Sequence, residues 1–446
     1  MNILAMNKKF RRSFIAKGCD MMTTPFILKG NIIYSDLTGC MHYMQNAYVI
    51  CKDGKTEGVY ESLPTTYLDY PIADYKNQLI IPGMSDLHLH APQYTFRGLG
   101  MDLELIDWLN TNTFPEEAKY QDIDYAKQAY TIFTHDLLHS TTTRACIFAT
   151  LHTKATLTLM ELLEQSGLHT YVGKVNMDRN GTKSLQEDNA EIAYLNTRDW
   201  ILESQKRFHI TKPILTPRFI PSCTNELMKK LKALQSEFHL PMQSHLSENL
   251  DEIEWVKDLV PESKFYGDAY NRFGLFGEDT PTIMAHCVYS NEEEIALMKQ
   301  NGVYIAHCPE SNINLASGIA PIRHYLDKRL HVGFGSDVAG ASSLSLLKAM
   351  ALAIQSSKLY YRLIDSSKKP LTSEEVFYLA TLGGGQFFGK VGSFLKDYAF
   401  DAVILDDHLI QSPRELTLKE RLERLLYETE HVQITAKYVN GHKLKL

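Results

Sequence analysis

The sequence predicts an α/β protein: a (β/α)8 TIM barrel carrying a small β-sandwich domain formed by both chain termini. Three observations carry that prediction. Eight short, β-branched runs alternate with longer helical stretches through the middle of the chain. Further strand-like runs lie before the first of them and after the last. No G-x-G-x-x-G follows the first run, which argues against an open doubly wound sheet. At 446 residues the chain has room for one large barrel and a smaller companion.

Taken in order, residues 26–34 read as a strand and 47–61 as a hairpin turning at Asp53-Gly54. The barrel runs are 78–90, 143–150, 170–178, 212–219, 241–248, 282–289, 303–310 and 331–337. Between them lie helical stretches such as 292–300, where Ile295 and Met298 mark an apolar face. The longest irregular stretch, 91–120, contains a helix near 103–110 and is expected to form a lid. The runs 400–405 and 432–439 follow a barrel that is already closed, so they are expected to join the N-terminal strands. The expected domains are therefore 22–81 and 395–446 for the terminal β unit and 82–394 for the barrel. Ahead of them, Lys8, Lys9, Arg11, Arg12 and Lys17 precede the first acid, Asp20. That segment reads as an extended start before Met21-Met22 in preference to a transit peptide.

Composition narrows the function. Apolar residues at 44% and charged residues at 22% are those of an ordinary globular protein and argue against disorder. Lys plus Arg number 46 against 53 acids, a net charge of −7, so no nucleic-acid partner is expected. No uncharged apolar run reaches the ~18 residues of a membrane span, so no membrane partner is expected either. Seven scattered cysteines without a C-x-x-C argue for a reducing, cytoplasmic setting. They also exclude zinc ribbons and the cysteine-ligated nucleobase deaminases.

The chemistry gathers at strand ends. The first barrel run closes on His88-Leu89-His90, and strand residues two apart face the same side, which suits two ligands of one metal. With 17 histidines in the chain, such a pair alone says little. But Arg218 ends the fourth run, His245 and Glu248 end the fifth, His286 lies near the end of the sixth and Asp337 closes the eighth. Barrel active sites are built at that rim. Three histidines and a carboxylate suit a zinc ion that keeps one position for water.

These residues fall in longer motifs: Pro82-Gly83 through His88-Leu89-His90-Ala91-Pro92-Gln93-Tyr94, Trp108-Leu109, Thr113-Phe114-Pro115 and Gly173-Lys174-Val175. Others are Thr216-Pro217-Arg218-Phe219, Gln243 through Asn249, Met284-Ala285-His286, His307-Cys308-Pro309 and Ser336 through Gly340. From about Pro25 onward the chain resembles the amidohydrolase superfamily and, within it, the guanine deaminase family. The resemblance implies zinc ligands His88, His90, His245 and Asp337. It implies Glu248 as proton shuttle, His286 as the residue holding the attacking oxygen, and Asp337 as a catalytic carboxylate. It implies Gln93, Arg218, the backbone of Phe219 and His286 as substrate contacts. The implied reaction is hydrolytic deamination of guanine to xanthine and ammonia, with metal-activated hydroxide attacking C2. The implied assembly is a homodimer with one Zn2+ per subunit, iron being the alternative ion.

Many binuclear members place a carbamylated lysine at the end of the fourth strand. Arg218 occupies that neighbourhood here, and a guanidinium stays protonated, so a single metal is expected. Lys174 is the remote alternative bridge and is assigned a structural role. Arg218 is expected to donate to O6 of guanine, a bond that adenine cannot accept. Phe96, Trp108 and Phe114 are expected either to cover a flat base or to serve the core, and His307 to be structural. The sequence departs from the family at Cys287, where glycine is usual, at Glu310, and across 392–401. The rival readings are a related deaminase acting on a triazine, cytosine or adenosine-type substrate, and a non-catalytic scaffold that kept the barrel.

Overall fold

The computed structural model describes residues 24–446, so the basic N-terminal segment lies outside the described residues. Its strands are β1 (Phe26–Ser35), β2 (Met41–Lys52), β3 (Lys55–Tyr60), β4 (Ile72–Pro82), β5 (Met84–His90), β6 (Thr142–Phe148), β7 (His169–Gly173) and β8 (Val175–Asn176). They continue as β9 (Thr211–Pro213), β10 (Thr216–Pro217), β11 (Met242–Leu246), β12 (Thr282–His286), β13 (Tyr304–His307) and β14 (His331–Phe334). β15 (Ala402–Asp406), β16 (Gln433–Val439) and β17 (His442–Lys443) complete the set.

Both chain ends build one β unit, a hydrogen-bonded sheet in the order β17-β16-β15-β4-β1-β2-β3. All its pairs are antiparallel except β1 with β4. Leu28, Val49, Ile80, Phe400 and Ile404 form its apolar core. The hairpin turns where expected, with φ of 51° at Asp53 and 72° at Gly54. Two positive φ values in a two-residue loop match the twist of the flanking strands.

The run read as one strand over 78–90 is divided. β4 stays in the terminal sheet, where Ile80 pairs with Ile404, and β5 opens the barrel. The break falls at Gly83, where a Cβ would lie 2.1 Å from Thr143 Oγ1. Only glycine allows that approach of one strand to the next.

The barrel strands run parallel in the order β11-β12-β13-β14-β5-β6-β7-β9. A parallel bridge between Leu215 and Met242 brings the two ends of that order together. Every residue of β5, β6 and β12 is buried, as parallel strands covered on both faces require. The fourth run is shorter than its sequence suggests. Pro213 and Pro217 cannot donate to a ladder, and the run survives as β9 and β10, the latter paired to β8. Over 91–120 the chain forms a short helix, Leu105–Trp108, a wide turn, Leu109–Thr113, and a second short helix, Phe114–Ala118. No described helix is long and apolar enough to cross a membrane. The described cysteines are all free thiols.

Candidate active site

The rim at the C-terminal ends of the strands gathers the predicted side chains. His88 and His90 close β5, His245 lies in β11, His286 ends β12, and Asp337 follows β14. Backbone bonds fix the join between the last and the first: Asp337 N–H donates to His88 O at 2.9 Å and His90 N–H to Val338 O at 3.2 Å. Asp86, which the sequence reading passed over, locks the same join from beneath. One oxygen of its carboxyl accepts Ser336 N–H at 2.9 Å and His88 N–H at 3.3 Å. Burial pushes that carboxyl up to about 7.

The ring nitrogens face a common point. His90 Nε2 lies 3.2 Å from His88 Nε2 and 3.3 Å from His245 Nε2. Asp337 Oδ1 lies 3.2 Å from His88 Nε2 and 3.4 Å from His90 Nε2. For Zn–N bonds of 2.0–2.1 Å, a tetrahedron has edges of about 3.3–3.4 Å. The donor set therefore fits one zinc ion. His245 is oriented through its other nitrogen, which donates to the Arg218 carbonyl at 2.6 Å and leaves the Nε2 lone pair free. Burial lowers all three imidazoles, and each is further lowered by, or crowded against, its neighbours, so they are neutral donors. Burial alone would raise Asp337, but His88, His286 and His90 outweigh it and hold the carboxylate ionised.

Two further groups face the same point. His286 Nε2 is 3.4 Å from Glu248 Oε2 and 3.8 Å from Asp337 Oδ2, while its Nδ1 donates to Asn312 Oδ1 at 2.9 Å. Burial would lower this imidazole, but Glu248, Asp337 and Asn312 together raise it. Glu248 is buried, which raises its carboxyl, and Ser317 Oγ donates to it at 3.0 Å. Glu252, in the first turn of the helix that follows, accepts the Glu248 N–H at 3.1 Å and the Tyr266 hydroxyl at 2.7 Å, and burial carries it to about 7. Glu248 lies before the helix that carries Glu252, so no helical spacing in the sequence singled it out.

Above this floor lies a pocket walled by Gln93, Trp108, Arg218, Phe219, Leu315 and Gly340, among others. Arg218 is buried, and both its terminal nitrogens donate to Glu117, at 2.6 and 3.2 Å. Gln93 Nε2 donates to the same carboxylate at 2.8 Å. Glu117 was also missed. It follows Pro115 by two residues, in a first helical turn where an acid ordinarily reads as solvated surface.

Of the three aromatics in the 91–120 stretch, Trp108 lines the pocket, whereas Phe96 packs on Trp108 at 5.4 Å and Phe114 lies under the Arg218 guanidinium at 5.1 Å. Lys174 is tied to Glu187 at 2.5 Å and Thr197 at 3.4 Å, a buried cluster separate from the metal-type donors. His307 is a buried neutral ring, lowered by burial to about 3. Cys308 Sγ lies close to His88, His286 and Asp337, but burial drives this thiol well up, so it stays protonated.

The departures acquire local reasons. His286 and Cys287 both have positive φ, 71° and 49°, the left-handed region where glycine is free and a side chain costs roughly 1–2 kcal/mol. Glu310 Oε1 accepts from Ser342 N–H and Oγ and from Lys348 Nζ, at 3.1, 2.6 and 2.7 Å, and so pins the loop that follows Asp337. Gly392 has φ 82°, and a Cβ there would meet the Thr381 carbonyl oxygen at 2.3 Å.

Residues 79–443 match the amidohydrolase family. The chain is 36% identical to a guanine deaminase of Dictyostelium discoideum over 444 residues, 94% of this chain and 98% of that protein. It is similar to the crystal structure of a guanine deaminase from C. acetobutylicum with bound guanine in the active site. The TM-score is 0.91 at 47% identity, covering 94% of this chain and 100% of that one. The fold is also that of a zinc-bound adenosine deaminase from Xanthomonas campestris, with a TM-score of 0.78 at 20% identity over 94% and 92% of the two chains.

Proposed function

The chain belongs to the amidohydrolase family, on its guanine deaminase branch, and on that premise we propose that it hydrolyses guanine to xanthine and ammonia. The observation that carries the proposal is one of register. His90 and Asp337 lie 3.2–3.4 Å from their neighbouring donors, His88 and His245 among them, beneath a pocket whose wall holds Gln93 and Arg218. The guanine deaminase with guanine bound, 47% identical, supports the choice of substrate.

His88, His90, His245 and Asp337 are proposed to hold a single Zn2+, with iron as the alternative ion. A bound zinc ion supplies Lewis acidity, lowering the pKa of water toward about 7. The rest falls to side chains. Arg218 donates to O6 and Gln93 and the Phe219 backbone contact the base, which presents C2 to the floor. His286 fixes the attacking water oxygen and offsets the charge that develops there. Asp337 accepts the first water proton and passes it to Glu248, which delivers it to N3. As the C2–N bond breaks, the remaining hydroxyl proton passes through Glu248 to the amine. Water has then added its oxygen to C2 and both its protons to N3 and ammonia.

The division at 22–81, 82–394 and 395–446, a homodimeric assembly and a cytoplasmic setting belong to the same proposal. Free cysteines throughout the described chain support the last of these. The test is ammonia release from guanine, adenine, cytosine and a triazine by zinc-supplemented protein. Guanine is expected to give the highest kcat/KM; a higher value on any other compound overturns the assignment.

A further inference from the structure

Glu117 stands at one remove from the pocket and yet is bonded to both of its polar wall residues. It is buried, 1% exposed, and both its oxygens are engaged. One accepts from Gln93 Nε2 at 2.8 Å and Arg218 Nη2 at 3.2 Å; the other accepts from Arg218 Nη1 at 2.6 Å. A carboxylate paired with a guanidinium offers acceptors only, so the Gln93 edge that faces it must be the NH2. The amide oxygen is thereby left on the other side, where Ala339 N–H approaches to 3.4 Å, a long contact. A lone pair of that oxygen stays available to a ligand donor. Arg218 gives two of its five N–H groups to Glu117 and keeps the others to donate.

We infer that Glu117 is a specificity-determining positioning residue: by holding Gln93 and Arg218 with one carboxylate, it fixes the wall as a donor beside an acceptor. This rests on the deaminase reading above. A lactam edge, with O6 accepting and N1–H donating, is complementary to that pattern at both atoms. 2,6-Diaminopurine carries the same amine on C2 but inverts the edge, with a 6-amino donor and an N1 acceptor. Without Glu117 the Gln93 amide is free to turn over and accept that inverted edge. The wall then loses its polarity while the donors around Asp337 stay as they are.

The test compares kcat/KM for guanine and for 2,6-diaminopurine in wild type, Glu117→Gln and Glu117→Asp, with zinc content and melting temperature measured alongside. Glu117→Gln keeps the shape and removes the fixed acceptor. It is expected to lower the guanine-to-diaminopurine ratio at least about tenfold, with the loss on guanine appearing mainly in KM and zinc retained. Glu117→Asp keeps the charge but reaches only one partner, and an intermediate fall is expected; it decides the matter should Glu117→Gln not fold. An unchanged ratio in a folded, zinc-bearing variant overturns the inference, and so does an equal loss on both purines, the mark of a purely structural residue. Wild-type protein inactive on guanine overturns the proposed reaction and this inference with it, a result separable from an active enzyme with an unaltered ratio.

Discussion

Two buried polar clusters, one where the barrel meets the terminal sheet and one at its rim, are assembled on opposite terms. Where β6 meets the terminal sheet, Arg144 Nε and Nη2 donate to Asp401 at 2.6 and 3.0 Å, and Nη2 donates again to Asn440 Oδ1 at 2.7 Å. Asn440 N–H returns a bond to Asp401 at 2.8 Å. Each charge there has a partner of opposite sign. At the rim, three neutral imidazoles turn lone pairs toward one another, and two acids, Glu248 and Glu252, are buried with no guanidinium or ammonium paired to them among the described residues. A cluster that only holds the fold closes on itself. One that does chemistry leaves demands that an ion, a water or a substrate must meet.

Removing what completes the rim should have the largest effect. Stripping metal with a chelator is expected to abolish ammonia release, with activity restored by zinc; activity that survives in demonstrably zinc-free protein would place the chemistry elsewhere. Glu248→Gln is expected to lower kcat by about 10²–10⁴ while zinc content stays the same, since the residue carries protons and holds no ion. An unchanged kcat contradicts the shuttle role.

Breaking the closed cluster should show the converse. Arg144→Ala leaves Asp401 buried without its partner and is expected to cost about 3–5 kcal/mol in denaturant unfolding, with kcat at 25 °C nearly unaltered. The pH dependence has a definite sign. Burial alone would raise Asp401, yet Arg144 and the bonds from Arg144 and Asn440 hold it below the ordinary carboxyl value. Its contribution is therefore complete above the unfolded Asp pKa of about 3.9 and is lost as pH falls through the lower folded value. The stability gap between wild type and Arg144→Ala should be widest near neutrality and shrink in acid. The smallest effect belongs to an exposed pair: Lys257→Ala, breaking a 3.3 Å contact with Glu254, is expected to stay within about 0.5 kcal/mol.

The comparison also explains what could be read from the sequence. His88 and His90 are two apart on a strand, and His245, His286 and Asp337 each lie at or near the C-terminal end of a strand-like run, so their positions along the chain point to one rim. The terminal β unit was legible because strands that follow a closed barrel must pair elsewhere. What stayed hidden depends on approach between distant segments. The split of 78–90 at Gly83 is set by Thr143, some sixty positions on. The fourth run reads as a strand by composition, but its prolines deny it a ladder. Glu117, Asp86 and Glu252 are ordinary acids in sequence, and only burial beside Arg218, His88 and Glu248 gives them a role.

Zinc K-edge absorption on the zinc-loaded protein addresses the convergence of His88, His90, His245 and Asp337 most directly. The account expects one zinc per chain, a first shell of nitrogen and oxygen at about 2.0–2.1 Å with imidazole scattering, and no sulfur. Cys308 Sγ lies within the same cluster. A sulfur scatterer near 2.3 Å, or a second metal in the site, would contradict it.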